Sequence, residues 1–470
     1  RIYDYLLVGR SDHTEKTFFD GVVALPQAHF LLLQPARRQI SVHRWWDLKI
    51  NPALDAGCNE EQASSDFVSL LEDAVRLRLR SDVPIGSCLS GGLDSSSIVM
   101  LANRLLLNSG AFGHHTIGDR QKTFTARNHS PENDEFQYSH LVVERTGAEE
   151  NIVYPSGERF WQEARRFVWH MDEPVDSTSQ YPQWNVMRLA RERGVTVLLD
   201  GQGGDEVLAG YYAYWPHYLN QLRHQAGARR LFREMWNVSR VGGRPARDIV
   251  YQDFVEKLPW RLRQILCALR PFRAGPGQGG SGLKDWQVNP EFLRRFEDRA
   301  WRPAGPVGAR GLAGVLHDDI ASNNLPKLLR FEDRSSMAFS LETRLPFLDY
   351  RLVEYVFSLP LSCRIRNGWN KWILRRSLDG LLPKEISWRR SKLGFPVPER
   401  DWLIAGASFV RQTLQGAAKD WAAAYVKSSV IEETVMRPDA ELVETPGLWR
   451  LVNLMLWFEV FIGSPLDAQV

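Results

Sequence analysis

The chain has 470 residues, 44% hydrophobic and 24% charged, with a formal net charge of +3. That length exceeds one ordinary domain, and so slight a positive excess argues against a nucleic-acid-binding surface. Four scattered cysteines (Cys58, Cys88, Cys267, Cys363) form no Cys-x-x-Cys pair, so neither a zinc site nor a disulfide framework is signalled. No apolar run reaches the roughly 18 residues of a membrane span; Leu451 to Ile462 is interrupted by Asn453 and Glu459. No charged-then-apolar leader opens the chain, and the default expectation is a cytoplasmic protein.

In chain order, His29-Phe30-Leu31-Leu32-Leu33 reads as a short strand, and residues 48–62 read as a linker. From Ser64, the apolar positions Phe67, Leu70, Leu71, Ala74, Val75 and Leu77 keep a helical period. An apolar run then ends at Leu89, and Ser90-Gly91-Gly92-Leu93-Asp94-Ser95-Ser96 leads into the helical pattern of Ile98, Val99 and Leu101. This strand, tight turn and helix start aim free backbone N–H groups and the positive end of a helix dipole at one point, which suits phosphate. An aspartate in such a loop would repel phosphate unless a divalent cation lay between them, so Asp94 argues for Mg²⁺. The Gly-x-x-x-x-Gly-Lys loop of γ-phosphoryl transfer is absent.

Strands are predicted at Lys122–Ala126, Glu150–Tyr154 and Val195–Leu199, with helical patterns between them. The alternation is that of an α/β fold with a doubly wound parallel sheet, and the apolar run of residues 195–199 suits a strand covered on both faces. A second glycine-rich turn, Asp200-Gly201-Gln202-Gly203-Gly204-Asp205-Glu206, follows the last of these strands. Open α/β sheets bind ligands at such strand ends. Two turns that each carry an aspartate can hold Mg²⁺ between them, through Asp94 and Asp205.

Residues 215–265 are rich in Arg and Trp at helical spacing, whereas residues 271–282 and 299–315 read as exposed loops without periodicity. Arg229-Arg230 and Arg294-Arg295 read as solvated helix faces. The C-terminal helix places Trp449, Val452, Leu456 and Phe461 near one face, read as core packing.

Ser-Gly-Gly-Leu-Asp-Ser-Ser at residues 90–96 resembles the pyrophosphate loop of the ATP-pyrophosphatase superfamily, which splits ATP between its α and β phosphates. Asp333-Arg334-Ser335-Ser336-Met337-Ala338, Glu342-Thr343-Arg344-Leu345-Pro346-Phe347-Leu348-Asp349 and Lys392-Leu393-Gly394-Phe395-Pro396 resemble, in this order and spacing, the synthetase domain of glutamine-hydrolysing asparagine synthetases of the B type. The resemblance implies an ATP-pyrophosphatase (PP-loop) α/β fold with a helical C-terminal part over residues 64–470. It also implies a linker at 51–63 and, at 1–50, the last part of a glutaminase domain ending near Arg44-Trp45-Trp46-Asp47. No residue here matches the family's glutaminase cysteine, so free ammonium rather than glutamine is the expected nitrogen source.

The activity so implied is ATP-dependent amide formation: a carboxylate is adenylated and then aminated by ammonia, giving asparagine, AMP and pyrophosphate when aspartate is the acceptor. By resemblance, Leu89, Ser90, Gly91, Gly92, Asp94, Ser95 and Ser96 hold pyrophosphate, while Phe124, Thr125, Ala126, Asp200 and Gly201 flank the nucleotide. Asp94 and Asp205 bind Mg²⁺, and Lys371 corresponds to the family's catalytic lysine, stabilising the charge that develops on phosphorus and on the tetrahedral carbon. Outside that family context, Lys371 between Asn370 and Trp372 would read as a solvated helix lysine.

The family's second loop usually reads Ser-Gly-Glu-Gly-x-Asp-Glu, and Asp200 and Gln202 stand here at its Ser and Glu positions. Gln202, at a catalytic position of the family, can neither take a proton nor present a carboxylate. The acceptor is therefore aspartate or, as the alternative, a carboxylate on a peptide, sugar or secondary metabolite. From a different class comes a nucleotide-binding protein that keeps the fold without turnover; intact Asp94, Asp205 and Lys371 count against it. The expected partners are small molecules, with neither nucleic acid nor membrane, and a homodimer is compatible with the family.

Overall fold

A computed structural model describes residues 1–108, 120–128, 134–225, 227–241, 282–296, 311–390 and 397–463. Its centre is a five-stranded, all-parallel sheet in the order β5-β4-β3-β6-β7. The strands are β3 (Ile85–Cys88), β4 (Lys122–Ala126), β5 (Glu149–Val153), β6 (Val197–Leu199) and β7 (Glu342–Arg344). Separately, β1 (His29–Gln34) and β2 (Gln39–Arg44) form an antiparallel hairpin.

The chain runs outward from β3 through β4 to β5, then returns to place β6 on the other side of β3. The order therefore reverses between β3 and β6, and a crevice opens at their C-terminal ends. Both glycine-rich turns leave from those two strands, so the reversal puts them side by side.

Side chains alternate across the sheet, and the alternation sorts the core. Leu199 joins a large cluster with Ile85, Ile98, Val99 and Phe347, formed with helices Glu60–Arg78 and Leu93–Asn108. Leu198 faces the opposite way, into a smaller cluster with Phe124, Val186, Met187 and Leu341. A third cluster joins helix Gly157–Met171 to the C-terminal helix Leu448–Phe461 through Phe160, Trp449 and Trp457.

The predicted strands are present with small shifts. β5 begins one residue earlier than expected, and β6 keeps only three residues of the five-residue run: the turn lies at Arg193-Gly194, and the Val195 N–H is still directed back to the Ala190 carbonyl. β2 and β7 are not among the predicted strands: Glu342-Thr343-Arg344 carries no apolar pattern, and it is a strand because it pairs in register with Val197–Leu199 at the sheet edge. The predicted linker contains a short helix, Pro52–Ala56, capped by the Asn51 side chain, and the next helix starts at Glu60, capped by Asn59.

Residues 311–315, expected in a loop, open helix Gly311–Asp318. Most of the 271–282 and 299–315 stretches, the distal part of 215–265 and Lys392–Pro396 lie outside the described residues. Arg229, Arg230, Arg294 and Arg295 are exposed on helices, as expected. The C-terminal helix is buried nearly all round rather than on one face, since Leu451, Leu454, Met455 and Trp457 are also covered. Residues 1–19 add to that core: helix Ile2–Val8 buries Tyr5, Leu6 and Leu7, and the Tyr5 hydroxyl donates to the Val175 carbonyl at 2.8 Å. Among the described residues no helix is long and apolar enough to cross a membrane.

Candidate active site

The first glycine-rich turn is built by its own side chains. The Leu89 N–H donates to the Phe124 carbonyl (2.9 Å), and the Thr125 hydroxyl donates to the Leu89 carbonyl (2.7 Å), tying the turn to β4. The Ser90 and Ser95 hydroxyls lie 3.0 Å apart, and the Gly92 N–H donates to the Ser90 hydroxyl at 3.3 Å. Gly91 has φ +73°, and a Cβ there would come within 2.7 Å of the Ser139 amide nitrogen, so this turn requires glycine on both counts. Helix Leu93–Asn108 starts at once, with Asp94 in its first turn.

The second turn leaves β6 in the same direction. The Asp200 N–H donates to the Arg344 carbonyl (3.1 Å), and its carboxylate accepts from the Gly201 N–H (2.5 Å). A Cβ on Gly201 would approach the Ser95 amide nitrogen to 2.8 Å, so the two turns touch backbone to backbone. Asp205 and Glu206 occupy the first turn of the short helix Gly204–Val207.

Lys371 arrives from far along the chain and joins these turns. It caps helix Trp372–Ser377 in a left-handed conformation, φ +50°, which is uncommon for a residue with a side chain. Its side chain is buried, with the ammonium donating to Asp94 Oδ2 and lying 2.6 Å from Asp205 Oδ1. The solvated-lysine alternative is thereby excluded. Two carboxylates on separate helix N-termini converge on one ammonium nitrogen.

Residues that sequence reasoning had not singled out hold this lysine in place. The Asn370 amide donates to the Gly210 carbonyl. Arg375 is buried and donates from Nε to the Asn370 carbonyl (2.8 Å), from Nη2 to Asn370 Oδ1 (3.1 Å) and from Nη1 to the Ser387 carbonyl (2.7 Å). Burial brings its guanidinium down to about 10, against the opposing pull of Asp94 and Asp205. The one available signal was its place four residues after Lys371, one helical turn on.

Gln202 lies half-buried in the second turn and makes no side-chain hydrogen bond among the described residues; the lysine cluster does not include it. The Phe124 side chain packs in the core, so residues 124–126 present mainly backbone to the crevice.

Beside Asp205, Glu206 is fully buried, its Oε1 accepting from the Tyr211 hydroxyl (2.7 Å) and from the Asn324 amide (2.9 Å). Burial first, then the Asp205 charge, pushes its carboxyl up to about 7 from an ordinary 4.5. The folded state thus binds this proton more tightly than the unfolded chain. The resulting stability is complete below the unfolded value and is lost as pH rises through about 7, an effect of about 3 kcal/mol at most. Thermal unfolding of wild type against Glu206→Gln between pH 4 and 8 is expected to show a wild-type decline that the variant lacks. Parallel curves would show that Glu206 does not titrate in this window.

Asp94 and Asp205 fit a bound Mg²⁺. Their oxygens already converge on a single positive centre, and Mg²⁺ is commonly held by one or two carboxylates with phosphate oxygens and water completing the shell.

Comparison with known proteins agrees with this geometry. The Asparagine synthase family description matches residues 66–459. Among curated relatives, Asparagine synthetase (glutamine-hydrolyzing) 1 of Bacillus subtilis is 26% identical over 86% of this chain and 60% of its own length. Asparagine synthetase (glutamine-hydrolyzing) 3 of the same organism is 26% identical over 95% and 64%. Amidase chry2 of Gibberella zeae is 24% identical over 82% and 60%. The chain thus spans about 60% of the length of these relatives. With both glycine-rich turns, the lysine between their aspartates and a match that takes in most of the described sheet and helices, the chain belongs to the asparagine synthase family.

Proposed function

We propose that the chain is an ATP-dependent amide-forming ligase that adenylates a carboxylate, aspartate in the first instance, and aminates it with ammonia to give the amide, AMP and pyrophosphate. The observation that carries the reading is the Lys371 ammonium held between Asp94 and Asp205 at the mouth of the phosphate turn. In this reading residues 64–470 are the synthetase, 51–63 a linker and 1–50 the end of a glutaminase domain.

The reaction asks three things of the protein. ATP must be held so that an acceptor carboxylate can attack the α-phosphorus from the side opposite the leaving pyrophosphate. Backbone N–H groups of residues 90–96, with the Ser90 and Ser95 hydroxyls, receive the pyrophosphate at a helix N-terminus. Asp94 and Asp205 would hold Mg²⁺, which would supply positive charge against the negative charge of the phosphate oxygens. Lys371 sits where negative charge builds as the acceptor oxygen bonds to phosphorus. The same ammonium serves the oxyanion formed when ammonia adds to the acyl carbon. A buried cation placed beforehand acts at full strength because no water must reorganise around it.

A second reading changes the acceptor alone. Gln202 replaces the carboxylate that the family places in this turn, and an amidase stands among the relatives. ATP–pyrophosphate exchange measured across a panel of carboxylates with the 470-residue chain tests both readings. Exchange with aspartate above all others supports the first, and exchange with another carboxylate supports the second. Exchange with none of a broad panel would refute the ligase.

A further inference from the structure

The spacing of the cysteines pairs none of them, yet the fold brings two together. Cys58 and Cys363, 305 positions apart in the chain, have their sulfurs 3.8 Å from each other. Both are free thiols. Cys58 lies between helix Pro52–Ala56 and helix Glu60–Arg78, in the predicted linker. Cys363 lies in the short helix Leu361–Arg364, just ahead of the segment that leads to Lys371.

The two sulfurs stand in unlike surroundings. Cys363 is 5% exposed, and its N–H donates to the Pro360 carbonyl at 2.9 Å. Its neighbour Arg364 is buried too and donates to the Val356 carbonyl at 2.6 Å, so this side of the pair is fixed. Cys58 is half-buried, in a stretch that is held to helix Tyr350–Ser358 by single bonds. Trp46 Nε1 donates to the Glu354 carboxylate (2.8 Å), and the Asn51 N–H donates to the Ser358 hydroxyl (2.8 Å). Beyond Cys58, the Glu60 carboxylate accepts from Trp372 Nε1 (2.9 Å) and from the Arg366 guanidinium. Trp372 follows Lys371 directly. The thiol pair thus joins residues 46–60 to the segment that carries the site lysine. A disulfide holds its sulfurs about 2.05 Å apart, so closure asks for a movement of roughly 1.8 Å. The half-buried Cys58 makes that movement, while the Lys371 segment stays in place.

We propose that Cys58 and Cys363 are a thiol–disulfide pair, which hydrogen peroxide closes and an added thiol reopens, fastening residues 46–60 to the Lys371 segment. Cys58 is the accessible sulfur and reacts first. Its thiolate attacks one peroxide oxygen, the O–O bond breaks, hydroxide leaves and a sulfenic acid remains. The Cys363 sulfur then attacks the Cys58 sulfur and the S–O bond breaks. The departing hydroxide takes the Cys363 proton and leaves as water. In sum, two thiols and one peroxide give one disulfide and two waters, with two electrons passing from sulfur to oxygen. Burial, and after it the neighbouring Cys58, pushes the Cys363 thiol up to about 12, which keeps it protonated and leaves the opening step to Cys58.

Peptide mapping of the 470-residue chain, treated with hydrogen peroxide and then alkylated with iodoacetamide, tests the pairing. The expected product is a cross-linked pair of peptides holding Cys58 and Cys363, two hydrogens lighter than the separate peptides. Dithiothreitol should return both thiols to alkylation. A cross-link over so long a loop restricts the unfolded chain strongly, so oxidation is expected to raise the unfolding temperature of wild type by about 5 °C or more. Cys58→Ser and Cys363→Ala should show no such rise, and pyrophosphate exchange by wild type should be the same oxidised and reduced. Alkylation of both residues after oxidation, or a bridge from either to Cys88 or Cys267, overturns the pairing. A bridge that forms but lowers the unfolding temperature overturns the fastening, because the fold would then have to strain to admit it. A fall in exchange on oxidation that Cys58→Ser prevents would show that the bridge displaces Lys371, and would overturn the fastening as well. The mapping and melting measurements need no turnover, so they decide the pair whether or not the ligase reading holds.

Discussion

Lys371→Ala is expected to lower the rate of pyrophosphate exchange by a factor of 10² to 10³, about 3–4 kcal/mol, the scale of one preorganised donor to a developing anion. The acceptor carboxylate and ATP should still bind, so the fall is expected in kcat and not in KM. A stability effect should accompany it. Removing the ammonium leaves Asp94 and Asp205 facing each other in a buried site, and breaking a buried ion pair in this way costs about 3–5 kcal/mol. Millimolar Mg²⁺ should therefore raise the unfolding temperature of the variant more than that of wild type, because the two carboxylates then want a cation from solution. Near-normal exchange by Lys371→Ala would assign the lysine to charge balance alone. An equal response of both proteins to Mg²⁺ would show that the aspartates do not share one cation.

Gly210→Ala should do comparable damage without touching a charged group. Gly210 donates its N–H to the Asp205 carbonyl at 2.8 Å and accepts from the Asn370 amide. A methyl group there would overlap both the Asp205 carboxylate and the Lys371 Cε. The pair must move apart or the turn must shift. Overpacking of this kind costs about 1–3 kcal/mol of stability, and displacing a catalytic group by about 1 Å costs on the order of 10² in rate. Gly194→Ala is a suitable control, since that glycine also has a positive φ (+73°) but a Cβ there meets nothing within 4 Å. It should lose about 1–2 kcal/mol of stability, the cost of a Cβ in the left-handed region, and keep its exchange rate. Full exchange activity in Gly210→Ala would show that the spacing of Lys371 and Asp205 seen here is not needed for catalysis.

Both predictions turn on contacts between distant parts of the chain, and there the sequence reading was weakest. It named Lys371 by family resemblance, but the residue's own neighbours, Asn370 and Trp372, favoured an exposed helix position. It did not single out Gly210, Arg375 or Glu332 at all. Glu332 occupies an amphipathic helical pattern that would read the same with the residue in water, and only the arrival of β7 beneath it makes it buried. β7 itself, Glu-Thr-Arg, has no strand signature apart from its partner β6.

What the amino-acid order alone determined was local: two glycine-rich turns after apolar runs, an aspartate in each, and a β-α alternation that implies a parallel sheet. These are short-range properties, set by backbone freedom at glycine, by side-chain period and by helix-start chemistry, so they can be read in a window of a dozen residues. Only the tertiary structure decided which residues share a site. Lys371 lies 277 positions from Asp94, and no periodicity links them. The reversal of strand order between β3 and β6 sets the two turns side by side, and packing of helix Trp372–Ser377 then carries the lysine between their aspartates. That meeting is selected by the packing of the whole core, to which every segment contributes, and so it cannot be read from any one of them.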